Sequence, residues 1–198
     1  MINFIDLKQE KPFLIIFEKY KDAIEAGQKN IEAISIASYN KLSSEVDSRY
    51  VNLKFIENDE FIFFSNYDSP KSSAFKSHNQ IAVNIYWSSI DFQIRIKAKI
   101  KKTSKKYNND YFKMRSPEKN ALAISSKQSM IISSYEQVIK NYKYVKKNND
   151  LSICPEHWGG YTFKPYEIEF WEGHDSRLNK RNLYKLDNNK WNHFILEP

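Results

Sequence analysis

Asp91-Phe92-Gln93-Ile94-Arg95-Ile96-Lys97-Ala98-Lys99-Ile100-Lys101-Lys102-Thr103 is the stretch whose reading decides the fold. Phe92, Ile94, Ile96, Ala98 and Ile100 alternate with Gln93, Arg95, Lys97, Lys99 and Lys101. A period of two, with one apolar and one charged face, describes a half-buried strand of an antiparallel sheet. Working outward, strand-like runs cover residues 31–38, 49–56, 60–65 and 81–88, with turns at 40–47 and 57–59. Downstream, residues 161–171 are rich in aromatic and β-branched side chains, which predicts two strands joined near Lys164-Pro165. Residues 181–186 and 190–196 form a hairpin across Asp187-Asn188-Asn189.

Helices are inserted between the strands. Pro12 followed by Phe13, Ile16, Phe17, Tyr20 and Ile24 has a proline at a helix start and an apolar stripe at helical spacing, with Gly27 as its stop. This predicts an N-terminal helix over 12–27, preceded by a flexible arm over 1–11. Ser104 is placed to cap a helix through Tyr107, Tyr111 and Met114, and residues 135–147 form another amphipathic helix. The fold class is therefore mainly β with peripheral helices, an antiparallel barrel in a single domain spanning 1–198.

Only four glycines occur, and three of them are Gly159, Gly160 and Gly173. Such sparing use places glycine where nothing else fits, and Gly159-Gly160 is expected as the turn that launches the late strands. The formal net charge of +7 suits an anionic partner, and suits equally lysines scattered over solvated faces. Cys154 is the single cysteine, so no intrachain disulfide forms, in keeping with a reducing cytosol. Residues 1–10 carry Asp6 and Glu10 and lack the apolar core of a signal peptide, and no apolar run is long enough to span a bilayer. A cytoplasmic protein with no membrane partner is expected. The cations are dispersed rather than interleaved with aromatics, so no nucleic-acid partner is expected.

Common catalytic signatures are absent: there is no GxSxG elbow, no P-loop and no GxGxxG. Cys154, His157 and His174 have metal-ligating side chains, but one thiol and no second ligand pair at suitable spacing give no metal site. What remains is a set of polar residues near strand ends and on a helix face: Arg49 and Lys54, Ser69 and Lys71, Tyr111 and Arg115, Arg177 and Arg181. Arginine forks and lysine point charges in such places suit phosphate groups, and ordinary surface charge is the competing reading. Arg49 and Lys54 are five apart and would face opposite sides of a regular strand, so a bulge intervenes or the site wraps round a strand end.

The order of these motifs is specific. Ser48-Arg49-Tyr50-Val51-Asn52-Leu53-Lys54, residues 61–66 with Ser69 and Lys71, Gln93, Tyr111-Phe112 with Arg115, Gln128-Ser129, Trp158-Gly159-Gly160, residues 168–173 and Arg177-Leu178 follow one another as in the pyridoxamine phosphate oxidase family, which the chain resembles from about Pro12 to Pro198. The resemblance implies an FMN-binding split β-barrel, a homodimer with each cofactor at the subunit interface. It implies FMN-dependent oxidation of pyridoxamine or pyridoxine 5'-phosphate to pyridoxal 5'-phosphate with dioxygen as acceptor.

Carried over residue by residue, Arg49, Tyr50, Val51, Asn52, Leu53, Lys54, Phe64, Ser65, Lys71, Gln93, Gln128, Ser129, Trp171 and Arg181 would line the flavin. Lys54, Tyr111, Arg115 and Lys119 would hold the substrate phosphate, with Asn179 nearby and Arg177 against the pyridine ring as the catalytic residue. The chain departs from the family at Pro70, where an arginine is usual, at Lys119 for a serine and at Asn179 for a histidine. Its N-terminal arm has no recognisable match. These departures motivate two alternatives: a related FMN-dependent oxidase of the phenazine-biosynthesis type, and a non-catalytic protein that holds flavin or pyridoxal phosphate.

Overall fold

The alternation in the deciding stretch is realised as strand β6 in a computed structural model that describes the whole chain, Met1–Pro198. In chain order the first half comprises β1 (Asn3–Ile5), α1 (Lys11–Glu25), β2 (Ala33–Asn40), β3 (Glu45–Glu57), β4 (Glu60–Asn66), α2 (Pro70–Ser77), β5 (Gln80–Trp87) and β6 (Phe92–Lys102). The second half comprises α3 (Lys105–Met114), α4 (Pro117–Ser125), α5 (Tyr135–Asn148), β7 (Trp158–Glu172), β8 (Lys180–Asp187) and β9 (Lys190–Leu196).

Strands β3, β2, β5, β6 and β7 are neighbours in that order, and β4 pairs with both β3 and β7. The ring closes into an antiparallel six-stranded barrel, which removes the exposed edges of an open sheet. β7 is long enough to serve two structures. Its first half lies between β4 and β6, and its second half leaves β4 and pairs with β8 instead, so the barrel splits there. The apolar face of β6 points inward with Ile34, Ile36, Leu53, Phe63, Phe163 and Ile168, all buried. Each such side chain contributes about 1.5–3 kcal/mol on burial. Helix α1 closes one side by inserting Phe13, Ile16 and Tyr20.

Several expectations are corrected. Residues 1–11 were expected to be a flexible arm, but Asn3–Ile5 pairs in parallel with Phe55–Glu57. The Tyr20 hydroxyl meets the Ile2 backbone, and Lys8 pairs with Asp59 at 2.8 Å, so the segment has partners along its length. Helix α1 ends at Glu25, and Gly27 follows with φ +73°, a left-handed conformation that suits glycine. Residues 161–171 are not two strands. Lys164-Pro165 lies at a bulge inside β7, where Ala98 faces Pro165 and Lys97 faces Glu167. Proline is tolerated there because the ladder is already interrupted.

Helices α2 and α4 were missed. Both begin with Ser-Pro, with Ser69 and Ser116 as N-caps and proline in the first turn. The turn expected at 40–47 is present but confined to 41–44, because the β2–β3 hairpin extends to the Asn40–Glu45 pair.

Gly159 and Gly160 are not a turn either. They lie within β7 opposite Ser65 and Phe64. A Cβ on Gly159 would collide with the Tyr67 hydroxyl and the Asn108 amide, and one on Gly160 would lie 2.6 Å from Thr103 Oγ1. Close approach of other groups, rather than backbone conformation, requires glycine at both positions.

Candidate active site

Strand β3 supplies the first wall. Its pairing with β4 shifts register between Leu53 and Phe55, which leaves Lys54 as the extra residue of a bulge. Tyr50, Asn52 and Lys54 share a face at a spacing of two, and all three line the same pocket. The bulge acts beyond that wall, where it lets Leu53 and Ile56, three residues apart, both enter the core. Arg49 stays behind the wall, with Nη1 donating to Ser38 Oγ and the Ile36 carbonyl and Nη2 to Asp47.

Strand β4 and helix α2 form the floor. Lys71 is buried in the first turn of α2, and its ammonium donates to Ser65 Oγ and Ser69 Oγ at 3.0 Å each and to Gln128 Oε1 at 2.9 Å. Burial, with the positive Arg49 nearby, depresses its pKa to about 8. Pro70 occupies the first turn of α2, where a helix leaves its N–H groups unused, so the missing donor costs the helix nothing.

Helix α3 brings the second wall. Tyr111 stacks on Phe64 with centroids 3.9 Å apart, and Phe64 stacks on Trp158 at 5.1 Å. The Arg115 guanidinium lies 4.3 Å from the Trp158 ring centroid, while Nη2 donates to the Lys119 carbonyl. Its Nη1 is buried and has no partner. Desolvation lowers the Arg115 pKa and raises that of Tyr111, which keeps its proton at neutral pH.

The orientation of α3 follows from the two glycines. Tyr67 Oη donates to the Gly160 carbonyl at 2.9 Å, Asn108 Nδ2 donates to Tyr67 Oη at 3.0 Å, and Gly160 N donates to Asn108 Oδ1 at 2.8 Å. This closed network docks α3 on β7 and so sets where Tyr111 and Arg115 stand.

The result is a pocket of about 450 Å³. It brings together Tyr50, Val51, Asn52, Lys54, Phe64, Ser65, Lys71, Tyr111, Arg115, Lys119 and Gln128 of the expected set. Four cations line it and no carboxylate does. Met114, Ser116 and Trp158 also line it and were not expected as site residues. Trp158 was legible as the neighbour of two glycines, whereas Met114 and Ser116 gave no signal.

Other expected residues lie elsewhere. Leu53 is fully buried in the barrel core, its side chain facing away from the pocket because its neighbours Asn52 and Lys54 face toward it. Ser129, in a left-handed conformation, lines an adjoining cleft with Met130 and Ile131. Gln93, Trp171 and Arg181 form one cross-strand row, with Gln93 opposite Trp171 and Trp171 opposite Arg181. That row is outside the pocket. Arg177 lies in the loop before β8 at φ +60°, and Asn179 Oδ1 accepts from His174 N at 3.1 Å in the same loop. One chain thus carries two separate groups of the expected residues.

Comparison with known proteins accords with this arrangement. A family model described as the pyridoxine 5'-phosphate oxidase C-terminal dimerisation region matches residues 158–198. The pyridoxine/pyridoxamine 5'-phosphate oxidase of Cytophaga hutchinsonii is 37% identical over 180 residues, 89% of this chain and 83% of that protein. That of Legionella pneumophila is 33% identical over 189 residues, 92% of this chain and 86% of that protein. Among solved structures, PhzG from Burkholderia lata in complex with tetrahydrophenazine-1-carboxylic acid superposes with a TM-score of 0.87 at 22% identity, covering 95% of this chain and 93% of that one. A pyridoxamine 5'-phosphate oxidase-related, FMN-binding protein from Nostoc punctiforme superposes with a TM-score of 0.79 at 10% identity, covering 96% and 99%. Those two likenesses establish the split-barrel fold, and the first two establish kinship. The chain belongs to the pyridoxine/pyridoxamine 5'-phosphate oxidase family.

Proposed function

We propose that the protein is an FMN-dependent oxidase that converts pyridoxamine or pyridoxine 5'-phosphate to pyridoxal 5'-phosphate, with dioxygen as terminal acceptor. The observation that supports this most is a pocket lined by Lys54, Lys71, Arg115 and Lys119 with no acidic side chain, one of these cations, Arg115, having a buried Nη1 without a partner. An uncompensated buried donor calls for a ligand acceptor. Two phosphate groups, one on the cofactor and one on the substrate, satisfy four cations.

The residues fit FMN. Lys71, Ser65 and Gln128 form a polar cradle already hydrogen-bonded together, backed by the positive Arg49. FMN, when bound, supplies the two-electron redox capacity that the side chains lack. Arg115 and Lys54, with Lys119 at the rim, hold the substrate phosphate, and the Trp158 ring fixes the plane of the Arg115 fork. Tyr111, pinned by its stack on Phe64, keeps a neutral hydroxyl at the pocket wall. Rigid placement of a phosphate handle orients the reacting carbon, which is catalysis by positioning.

The second group, Gln93, Trp171, Arg177 and Arg181, completes the site from a second copy of the chain on this reading. The matched dimerisation region, residues 158–198, contains three of these four residues, which supports a homodimer with composite sites. No helix is long and apolar enough to cross a membrane.

The test is an absorbance spectrum of the purified, FMN-loaded protein before and after anaerobic addition of pyridoxamine 5'-phosphate. Bleaching of the flavin band, followed by pyridoxal 5'-phosphate formation in air, is expected. A flavin band that persists under substrate overturns the oxidase reading. The second reading, a related FMN oxidase acting on another anionic substrate, draws on Lys119, a cation at the pocket rim, and Asn179, whose side chain is committed to its own loop. Ordinary turnover of the B6 phosphates would exclude it.

A further inference from the structure

Arg181 is held on two sides before any ligand arrives. Its Nε donates to Glu169 Oε1 at 2.8 Å, and its Nη1 donates to the Glu197 backbone carbonyl at 2.9 Å. Glu169 is buried, and its other oxygen, Oε2, accepts from Arg95 Nη1 at 3.1 Å. Arg95 stands directly opposite Glu169 across β6 and β7, so the carboxylate is clamped between two guanidinium groups and cannot turn. Glu169 lies two residues before Trp171 on β7 and therefore shares its face. The network adjoins the Gln93–Trp171–Arg181 row.

A guanidinium carries five N–H donors. Two of those on Arg181 are engaged within the chain, one on Nε and one on Nη1, and Nη2 has no partner within the chain. A flexible arginine loses rotamer freedom when it binds an anion, whereas a guanidinium already held at two of its nitrogens has lost it in advance. Glu169 also removes much of the repulsion between Arg95 and Arg181, which would otherwise push the two cations apart.

We infer that Glu169, together with the Glu197 carbonyl, positions Arg181 for FMN, so that the segment after β9 is a working part of the cofactor site. This rests on the reading of Arg181 as a flavin-contacting residue. Glu169 and Glu197 act through Arg181 and touch neither cofactor nor substrate.

The test is a mutant cycle read by FMN affinity, from quenching of flavin fluorescence by the full-length protein. Glu169→Gln keeps the size and one acceptor oxygen but removes the charge, and is expected to weaken FMN binding about tenfold, the loss of one charge-assisted contact. In an Arg181→Gln background the same change is expected to alter FMN affinity by less than about twofold, since a residue acting only through Arg181 has nothing left to act on. Ending the chain after Leu196 removes the second contact and is expected to behave the same way, which covers the case in which Glu169→Gln fails to fold. Equal losses in both backgrounds, or no loss in either variant, overturn the inference alone. Unchanged FMN affinity in Arg181→Gln by itself overturns the underlying reading of Arg181, and the inference with it.

Discussion

The ammonium of Lys71 lies 2.9 Å from Gln128 Oε1, with two serine hydroxyls as its other partners and no carboxylate within hydrogen-bonding distance. A buried cation without a counter-ion destabilises the protein that holds it and favours an anion that neutralises it. Its pKa of about 8, below the usual 10.5, means that the unfolded chain binds more protons between these values. Stability of the flavin-free protein therefore rises with pH across that window. If Lys71 holds the FMN phosphate as proposed, the phosphate favours the charged form, and cofactor affinity is expected to fall across the same window, by about tenfold from about pH 7.5 to about pH 9.5. Lys71→Met is expected to raise the melting temperature of the flavin-free protein by about 2–6 °C while weakening FMN and flattening its pH dependence. Calorimetry and fluorescence titration check the two effects separately.

Arg115 combines a stack on Trp158 with an unpartnered N–H, and lysine reproduces neither. Arg115→Lys is expected to raise KM for the B6 phosphate about 10–100-fold, with a smaller change in kcat. Lys119 is exposed, so Lys119→Ser is expected to raise KM only about 2–5-fold, an effect that fades at high salt. Steady-state kinetics at two ionic strengths distinguish the cations.

At Gly159 a methyl group meets both Tyr67 and Asn108, whose network docks α3. Gly159→Ala is expected to cost about 1–3 kcal/mol by overpacking. Urea unfolding would show a lower midpoint at unchanged slope. Activity is expected to fall further than stability accounts for, because displacement of α3 moves Tyr111 and Arg115 together.

Arg177 adopts φ +60°, a conformation that glycine takes without strain. In Arg177→Gly the relief of strain offsets the added freedom of the unfolded chain, so stability is expected to stay within about 0.5 kcal/mol. A loss in kcat of about tenfold or more at unchanged melting temperature would show that the strained arginine serves catalysis.

The strands were readable because each half-buried strand writes its period into the chain, and β6 does so without interruption. The bulges were less accessible. The one at Lys54 could be posed from the five-residue interval to Arg49 but not located, because register depends on β4, and the one at Pro165 resembles a turn when only proline is visible. The glycine pair was misread for a related reason. A turn is a local property, whereas the approach of Tyr67 and Asn108 comes from residues distant in sequence. The N-terminal strand is three residues long, too short to carry a period. Within the site, the motif order gave Lys54, Lys71, Tyr111, Arg115 and Gln128 together. The separation of Gln93, Trp171 and Arg181 from them is a property of the closed barrel, which no linear order displays.

The bulge at Lys54 also governs where this chain can change length. β3 pairs with β2 as far as Asn52, with β4 on both sides of the bulge, and with β1 only after it. Deleting one residue between Arg49 and Phe55 would remove the bulge and turn Tyr50 and Asn52 over relative to β4, with the pocket wall inverted into the core. Residues 41–44, at the hairpin tip, sit outside any such constraint. Insertions and deletions among relatives are therefore expected to collect at that tip and to be absent from 49–55, a gap pattern that reads the pocket wall without reference to any single side chain.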